Sequence, residues 1–315
     1  MKTIVRTIRE HIKADWNPWI YGFTAAFLIA SITLNYLFSF QNKFVEKGGT
    51  DIEAILRFFA FYSFAYYVIA IPKLLVSGQQ SVLKNREFWI KSLSLLVLIS
   101  IVGRLRYYKY VGELFNDIPT RAFVMKLLVQ ARCTLIYLIP LFVLKRVYDH
   151  HTKGLFGLSF SKSDLRIYFV LLAIVAPLVI AASFTPDFLS AYPRYKPWIV
   201  DIVPGMSKVS MTGVFETFYG LDFVMVELMF RGAFVIGMIA VMGKESILPM
   251  VSVYAFLHFG KPLGESIGAV FGGYILGVIA WKTRHIWGGV IIHMGVAFLM
   301  EIMGFLQYYV FHVRR

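Results

Sequence analysis

Long apolar runs alternate with short polar connectors along the whole chain. Most of them approach or exceed the roughly 20 residues that cross a bilayer. These longer runs lie near 19–40, 55–76, 122–144, 165–184, 214–242, 264–281 and 286–311. Shorter apolar stretches lie near 92–102 and 247–259. Because the runs are continuous rather than alternating, they indicate helices and not strands. The pattern predicts an all-α, polytopic membrane protein with eight or nine transmembrane helices.

The composition agrees with a membrane protein. Of the 315 residues, 58% are hydrophobic, and the mean hydropathy is +0.67. Soluble domains contain about 45–50% apolar residues. The net charge of +14 comes mostly from Lys and Arg in the connectors, where such residues anchor helix ends and meet anionic lipid headgroups. We therefore expect the lipid bilayer as a partner and no nucleic acid. The single cysteine, Cys133, excludes an internal disulfide.

The chain divides into two regions by the distribution of ionisable residues. Residues 1–208 are predicted to form N-terminal transmembrane helices with basic connectors, and residues 209–315 a separate bundle. The first region opens with Ile4, Ile8 and Ile12 spaced four apart among basic residues, a pattern typical of a helix on the membrane surface. Arg132 lies within an apolar run of the same region, where a structural pairing explains it better than catalysis.

Ionisable groups interrupt the apolar runs of the last third. Glu227 and Arg231 are four residues apart, so they lie on one face of a helix and can pair. Each costs about 2.5–3.5 kcal/mol in hydrocarbon when it is alone. His258 and His293 interrupt two later runs. A buried carboxylate and a His can activate a water, and a second His can hold an oxyanion. The same groups could instead bind a divalent metal such as zinc.

Residues 210–305 resemble the CPBP family of intramembrane proteases. That family includes the CAAX prenyl endopeptidases and the bacterial Abi proteins linked to bacteriocin self-immunity. Its pattern is Glu-Glu-x-x-x-Arg, then Phe-x-x-x-His, then His-x-x-x-Asn or Asp, on separate helices. Glu227 with Arg231, Tyr254 with His258, and then His293 follow the same order and spacing.

The resemblance implies an intramembrane endopeptidase whose substrate is a membrane-associated or prenylated peptide. It implies catalytic roles for His258 and His293. We expect Glu227 to serve as the catalytic carboxylate, with Arg231 and Glu265 in support, and we keep His258 and His293 as candidate ligands of a divalent metal. We accordingly expect an integral, multi-pass protein of the bacterial cytoplasmic membrane.

The chain departs from the family pattern at two positions. Val226 stands where the family has the glutamate that activates water, and Ala297 stands where it has Asn or Asp. The base could then be Glu227, or one of three other carboxylates. Those are Asp222, Glu265 and Glu301. Alternatively the site is inactive, and the protein is a membrane-embedded binding or immunity protein that does not cut.

A third class of function, a transporter or proton relay, also places His and Glu in membrane spans. The spacing of the motifs argues against it, as does the lack of an evident inverted repeat.

Small residues recur every four positions in the run at 264–281. The first small-residue ladder is Gly264, Gly268 and Gly272, and the second is Ala269, Gly273 and Gly277. Such ladders let helix backbones approach closely. We expect the first ladder to pack tightly against a neighbouring helix of the site.

Overall fold

The computed structural model describes residues 2–150, 154–159 and 165–312, and these ranges are helical apart from turns and an isolated β-bridge between Leu155 and Leu158. The α-helices, in chain order, are α1 (Lys2–Asp15), α2 (Pro18–Phe38), α3 (Asp51–Val76), α4 (Arg86–Arg104), α5 (Tyr107–Gly112), α6 (Ile118–Tyr148), α7 (Arg166–Ala182), α8 (Pro186–Ala191), α9 (Lys208–Glu227), α10 (Ile239–Met242), α11 (Ile247–Leu257), α12 (Leu263–Thr283) and α13 (Trp287–Tyr309). Two π-helical turns, Gln41–Val45 and Leu228–Ala233, and three 3₁₀ turns, Gln80–Lys84, Ile236–Met238 and Gly243–Ser246, complete the elements.

Six helical segments within the described ranges are long and apolar enough to cross a membrane. They are Pro18–Phe38, Asp51–Val76, Ile118–Tyr148, Lys208–Leu257, Leu263–Thr283 and Trp287–Tyr309. An integral, multi-pass, all-helical protein is therefore confirmed, whereas the predicted count of eight or nine spans is not. The difference arises partly because Lys208–Leu257 runs for 50 residues without a long polar connector, more than twice the roughly 20 residues of one crossing.

Local sequence explains where the helices beside the site begin. The Asn17 side chain accepts hydrogen bonds from the first backbone N–H groups of α2, and Pro18 occupies the first helical position. Thr50 and Glu53 form a capping box at the start of α3. Pro262 directly precedes α12 and ends the turn after α11. The residues Gly260, Lys261 and Pro262 therefore lie in the turn that separates α11 from α12.

The chain separates into two compact units. Unit 1 comprises residues 1–105, 139–163 and 227–289. Its central helix is α11, which is buried at every residue from Ile247 to Phe256 and packs against α3 and α12. Glu227, Arg231 and His258 all belong to this unit.

The packing of α11 on α12 corrects the prediction about the first small-residue ladder. Among the described residues, a Cβ added at any of its three glycines would meet no neighbouring atom within 4 Å, so that prediction is wrong. The second ladder makes the close approach. A Cβ at Gly273 would lie 3.2 Å from Cδ1 of Tyr254, and one at Gly277 would lie 2.7 Å from Cε of Met250. The bulky side chains of α11 fill the second face of α12.

The amphipathic N-terminal helix is present as α1 and packs against α12. Its inward face carries two polar residues, His11 and Asp15, which are both buried. Asp15 Oδ1 lies 2.7 Å from Nζ of Lys73 on α3, and Asp15 Oδ2 accepts a hydrogen bond from the Tyr21 hydroxyl at 2.8 Å. The exposed face, which includes Arg6, would be the one that meets lipid headgroups, and its position on a membrane stays a prediction.

Unit 2 comprises residues 106–138, 164–226 and 290–315. Its main core is an aromatic cluster that includes Tyr195, Phe215, Tyr219 and Phe223 and encloses Ala297. Each of the two units consists of three separate segments of the chain, and the segments of the two units alternate along the sequence. The predicted division of the chain into residues 1–208 and residues 209–315 stays a prediction.

Candidate active site

The site begins where α9 gives way to a wide helical turn. Helix α9 ends at Glu227, and the next six residues, Leu228–Ala233, form a π-helical turn in which every residue is buried. The backbone N–H of Phe234 donates to the carbonyl of Met229 at 2.9 Å, five residues back. Single π turns inside α-helices are frequent at functional sites. This turn carries Arg231.

Glu227 and Arg231 form a buried ion pair. Arg231 Nη1 lies 2.8 Å from Glu227 Oε1, and the two side chains are 1% and 0% exposed. The pairing expected from their four-residue spacing is therefore present. In such an environment, each charge stabilises the other, and removal of one leaves an uncompensated buried charge.

The second carboxylate oxygen of Glu227 faces the start of α13. A Cβ added at Gly289 would overlap Oε2 and would lie 2.8 Å from Cδ of Glu227. Only a residue without a side chain therefore allows the carboxylate to occupy this position. Sequence reasoning did not single out Gly289, and the available signal was the Gly288-Gly289 pair at the beginning of an apolar run.

Arg231 and His258 both contact the ring of Tyr254. The guanidinium carbon of Arg231 is 4.3 Å from the centre of the Tyr254 ring, within the range of a cation–π interaction. The Tyr254 and His258 rings meet edge to face, with centroids 4.6 Å apart. The side chains of Glu227, Arg231, Tyr254 and His258 thus form a continuous row within unit 1, which we call the polar row.

Hydrogen bonding sets the tautomer of His258, which is 6% exposed. Its Nδ1 lies 2.7 Å from the carbonyl oxygen of Tyr254. A carbonyl only accepts, so Nδ1 carries the hydrogen and donates it. In the neutral ring, Nε2 is then the accepting nitrogen. This is the arrangement required of a histidine that takes a hydrogen from water.

A short loop, Gly154–Ser159, packs against the π-helical turn from outside. The side chain of Phe156 is buried, and its carbonyl oxygen would lie 3.0 Å from a Cβ at Gly232. The backbone N–H of Ile286 donates to the carbonyl of Gly157 at 3.2 Å. The loop therefore joins the turn that bears Arg231 to the segment that leads into α13. Nothing in its local sequence indicated this role.

His293 and Ala297 both lie in unit 2. The His293 ring meets Phe223 with centroids 4.6 Å apart. Ala297 is fully buried in the aromatic cluster, so its methyl group fills core space where the family pattern has a polar side chain. The structure thus brings together Glu227, Arg231 and His258, and the convergence of His293 on them stays a prediction.

Two of the three alternative carboxylates also lie in unit 2. Asp222 and Arg132 both lie beside the thiol of Cys133, which agrees with a structural role for Arg132. Glu301 is buried, and both of its oxygens accept the backbone N–H of Arg194 at 2.9 Å. Backbone contacts of this kind are typical of a structural carboxylate.

The remaining alternative, Glu265, lies in the first turn of α12. Its Oε2 is 3.5 Å from Nζ of Lys261, four residues earlier. The Lys261 side chain is 45% exposed, so this ion pair is partly solvated and contributes little to stability. A supporting role for Glu265 stays a prediction.

An apolar cavity of about 410 Å³ lies beside the end of α11 in unit 1. Half of the residues that line it are phenylalanines, and Asn35 and Arg57 are among its few polar residues. The six phenylalanines that line it are Phe40, Phe44, Phe61, Phe64, Phe256 and Phe259. Its volume falls in the range of small-molecule pockets, about 300–1,000 Å³. Phe256 and Phe259 flank His258 in the chain. We call this space the phenylalanine cavity.

Metal binding was the other expected use of the two histidines. In the part of the chain that the structure describes, no three or more His, Cys, Asp or Glu side chains are grouped so as to hold a metal ion. Binding of a divalent metal by His258 and His293 stays a prediction.

The fold and the polar row together define the class of this protein: an integral membrane protein of helices with a buried polar site. Residues 211–299 match the family model described as type II CAAX prenyl endopeptidase Rce1-like. The matched segment includes Glu227, His258 and His293, and it confirms the resemblance to the CPBP family. No match was found among curated proteins or among solved structures. The family match supports an intramembrane protease at the level of the family.

Proposed function

We propose that this protein is an intramembrane endopeptidase that uses Glu227, His258 and His293 to hydrolyse a peptide bond. The observation that carries the proposal is the polar row: it ends in a histidine whose Nδ1 bond to Tyr254 leaves Nε2 as the accepting nitrogen. This row lies within the segment that matches a protease family.

In the proposed reaction, one water is shared by Glu227 and His258. His258 Nε2 accepts one hydrogen bond from the water and orients it. Glu227 takes the other hydrogen as the water oxygen attacks the carbonyl carbon, and it later delivers that proton to the leaving amine. His293 donates a hydrogen bond to the oxyanion that forms. A separation of the two histidines beyond about 10 Å would exclude this shared site by the reach of hydrogen bonds through one water.

We propose a substrate that carries a long apolar group, such as a prenylated peptide. The matched family is named for prenyl endopeptidases, and the phenylalanine cavity supports an apolar ligand beside His258. A prenyl chain in this cavity would bury hydrocarbon against aromatic rings, at about 0.8 kcal/mol for each CH₂ group removed from water. The scissile bond would then lie near the end of α11.

Cleavage of prenylated and unmodified peptides by the purified protein in detergent tests the reaction. Four single variants, Glu227→Gln, Asp222→Asn, Glu265→Gln and Glu301→Gln, keep side-chain size and remove one carboxylate each. We expect only Glu227→Gln to abolish cleavage. It should also lower the melting temperature, because Arg231 loses its carboxylate partner, so cleavage is measured well below that temperature. If all four variants cleave like the parent protein, activation of water by a carboxylate is wrong.

A second candidate function is a catalytically inactive binding or immunity protein on the same scaffold. Two observations favour it: Val226 lacks a carboxylate, and Glu227 Oε1 is already engaged by Arg231. In that case the parent protein would cleave neither peptide. Val226→Glu restores the family pattern, so a gain of cleavage in that variant would identify an inactivated protease.

A further inference from the structure

The turn that follows His258 depends on donors from other helices. Helix α11 ends at Leu257, and the last carbonyls of a helix have no partner within it. The turn after α11 has one hydrogen bond of its own at this point, from the backbone N–H of Lys261 to the His258 carbonyl at 2.9 Å, and its other buried carbonyls need donors from elsewhere. Asn35, near the end of α2, supplies one, since its Nδ2 donates to the carbonyl of Phe259 at 2.9 Å. The Asn35 side chain is itself fixed, because its Oδ1 accepts the backbone N–H of Gln41 at 3.0 Å.

Two hydroxyl groups complete the contacts to this turn. Ser266 Oγ, on α12, donates to the carbonyl of His258 at 2.6 Å and is fully buried. The Tyr36 hydroxyl, on α2, lies 2.5 Å from the carbonyl of Lys261 and 2.7 Å from Ser266 Oγ. Together the side chains of Asn35, Ser266 and Tyr36 contact the carbonyls of Phe259, His258 and Lys261.

The hydroxyl protons couple these contacts to one another. Each hydroxyl carries one hydrogen, so two hydrogens serve three short contacts. In one arrangement of the hydrogens, Tyr36 donates to Ser266 and Ser266 donates to the His258 carbonyl. Each hydrogen is then used once. In the other arrangement, Tyr36 donates its hydrogen to the carbonyl of Lys261. Ser266 must then donate its hydrogen to the Tyr36 hydroxyl, so it no longer donates to the His258 carbonyl. Loss of the Tyr36 hydroxyl therefore affects His258 through Ser266.

We propose that Asn35, Tyr36 and Ser266 are positioning residues for His258. They fix the peptide group of His258 and the turn after it, and this backbone geometry keeps Nδ1 of the ring on the Tyr254 carbonyl. The tautomer with Nε2 as acceptor follows from that bond. Asn35 and Tyr36 lie outside the segment 211–299, so helix α2 contributes to the site. The catalytic consequence rests on the proposed function, whereas the effect on the His258 ring does not.

Nitrogen NMR of the imidazole side chains measures the tautomer directly. The protein has seven histidines, and the signals of His258 are assigned by their loss in His258→Gln. With ¹⁵N-labelled histidine in detergent micelles, the parent protein should show His258 as a single Nδ1–H tautomer. In Tyr36→Phe and in Ser266→Ala we expect a mixture that contains the Nε2–H tautomer.

The chain offers matched controls on α3 and α4. The Tyr67 hydroxyl lies 2.8 Å from Ser92 Oγ, and Ser92 Oγ donates to the carbonyl of Phe88 at 2.7 Å. This group repeats the tyrosine–serine–carbonyl arrangement away from His258. Tyr67→Phe and Ser92→Ala should therefore leave the His258 signals unchanged. Melting temperatures of all variants establish that they are folded, and Ser266→Ala serves if Tyr36→Phe does not fold.

Peptide cleavage provides the second readout. We expect kcat to fall roughly fivefold in Tyr36→Phe with KM unchanged, which corresponds to one hydrogen bond of about 1 kcal/mol lost in the transition state. An unchanged His258 tautomer in both folded variants would overturn the positioning role. If the tautomer changes but the parent protein cleaves no peptide, the positioning role stands and the proposed protease function fails.

Discussion

The guanidinium of Arg231 lies between a carboxylate and an aromatic ring: Nη1 is 2.8 Å from Glu227 Oε1, and Cζ is 4.3 Å from the centre of the Tyr254 ring. The charge is therefore balanced on one side by the ion pair and on the other by the ring. Through these two contacts Arg231 joins the π-helical turn to α11, the helix that ends directly before His258. A phenylalanine at position 254, as in the family pattern, would preserve the aromatic contact.

Arg231→Ala should destabilise the protein strongly, whereas His258→Ala should remain folded. Removal of the arginine leaves Glu227 as a buried carboxylate without its cation, at a cost of about 3–5 kcal/mol. Thermal unfolding in detergent compares the two variants with the parent protein. Equal melting temperatures for Arg231→Ala and the parent protein would show that the buried ion pair does not stabilise the fold.

Gly289→Ala should lower stability although it adds only one methyl group. The new Cβ would overlap the Glu227 carboxylate, which cannot move away without leaving Arg231. We expect a loss of about 1–3 kcal/mol, typical of overpacking in a buried site. Gly268→Ala is the control, because its Cβ would meet no atom within 4 Å among the described residues. A stable Gly289→Ala would mean that the carboxylate has another position.

Larger substitutions on α12 distinguish its two faces. Gly277→Leu should lower the melting temperature markedly, because even a Cβ there would lie 2.7 Å from Cε of Met250 on α11. Gly268→Leu, on the first small-residue ladder, should leave the melting temperature unchanged. Equal losses in the two variants would indicate that the first ladder contacts a partner after all.

Acidification should destabilise the protein partly through His11. Burial lowers the pKa of His11, and Asp15, Lys73 and Lys244 act on it more weakly. A folded-state pKa below the unfolded value of about 6.5 means that stability is complete above about pH 6.5 and decreases as the pH falls toward the folded pKa. We expect His11→Phe to lose less melting temperature than the parent protein between about pH 7.5 and about pH 5.

Part of the acid dependence should persist in that variant. His285 lies outside the membrane spans, and burial lowers its pKa as well. The same change of melting temperature with pH in His11→Phe and the parent protein would assign the acid sensitivity to other groups.

Filling the phenylalanine cavity should weaken binding of a prenylated peptide only. Ala60 on α3 lines the cavity, so Ala60→Trp would occupy space meant for the apolar chain. We expect KM for the prenylated peptide to rise about tenfold, which corresponds to roughly two methylene groups left in water. KM for the unmodified peptide should stay unchanged. Leu56→Trp is the control, because Leu56 lies one turn earlier and is exposed. An equal rise of KM in both variants would show that the cavity does not bind the substrate.

The helices and the main ion pair follow from sequence because their signals are local. The apolar runs placed α2 and α3 within a few residues, since length and capping decide where such helices begin and end. The spacing of Glu227 and Arg231 predicted their pairing because four residues complete about one helical turn. In each case the information lies within a single segment.

Features that depend on a second segment escaped prediction. By sequence alone, the two small-residue ladders of α12 are equally suited to close helix packing. The side chains of Tyr254 and Met250 determine that the second ladder is the one in contact with α11. The predicted number of spans is not confirmed, because hydropathy does not show whether a 50-residue apolar segment crosses the membrane once or twice. The contact between Phe156 and Gly232 joins residues with no common motif, so no local pattern could reveal it.

The π-helical turn at Leu228–Ala233 changes the direction in which the side chains after it point. Its bond from Phe234 to Met229 encloses one residue more than an α-helical turn does. Residues beyond Ala233 are therefore displaced by about 100° around the helix axis relative to an unbroken α-helix of the same sequence. Deletion of a single residue from this turn would leave Glu227 in place and turn the side chains that follow the deletion toward different neighbours. In this stretch of chain, the number of residues matters as much as their identity.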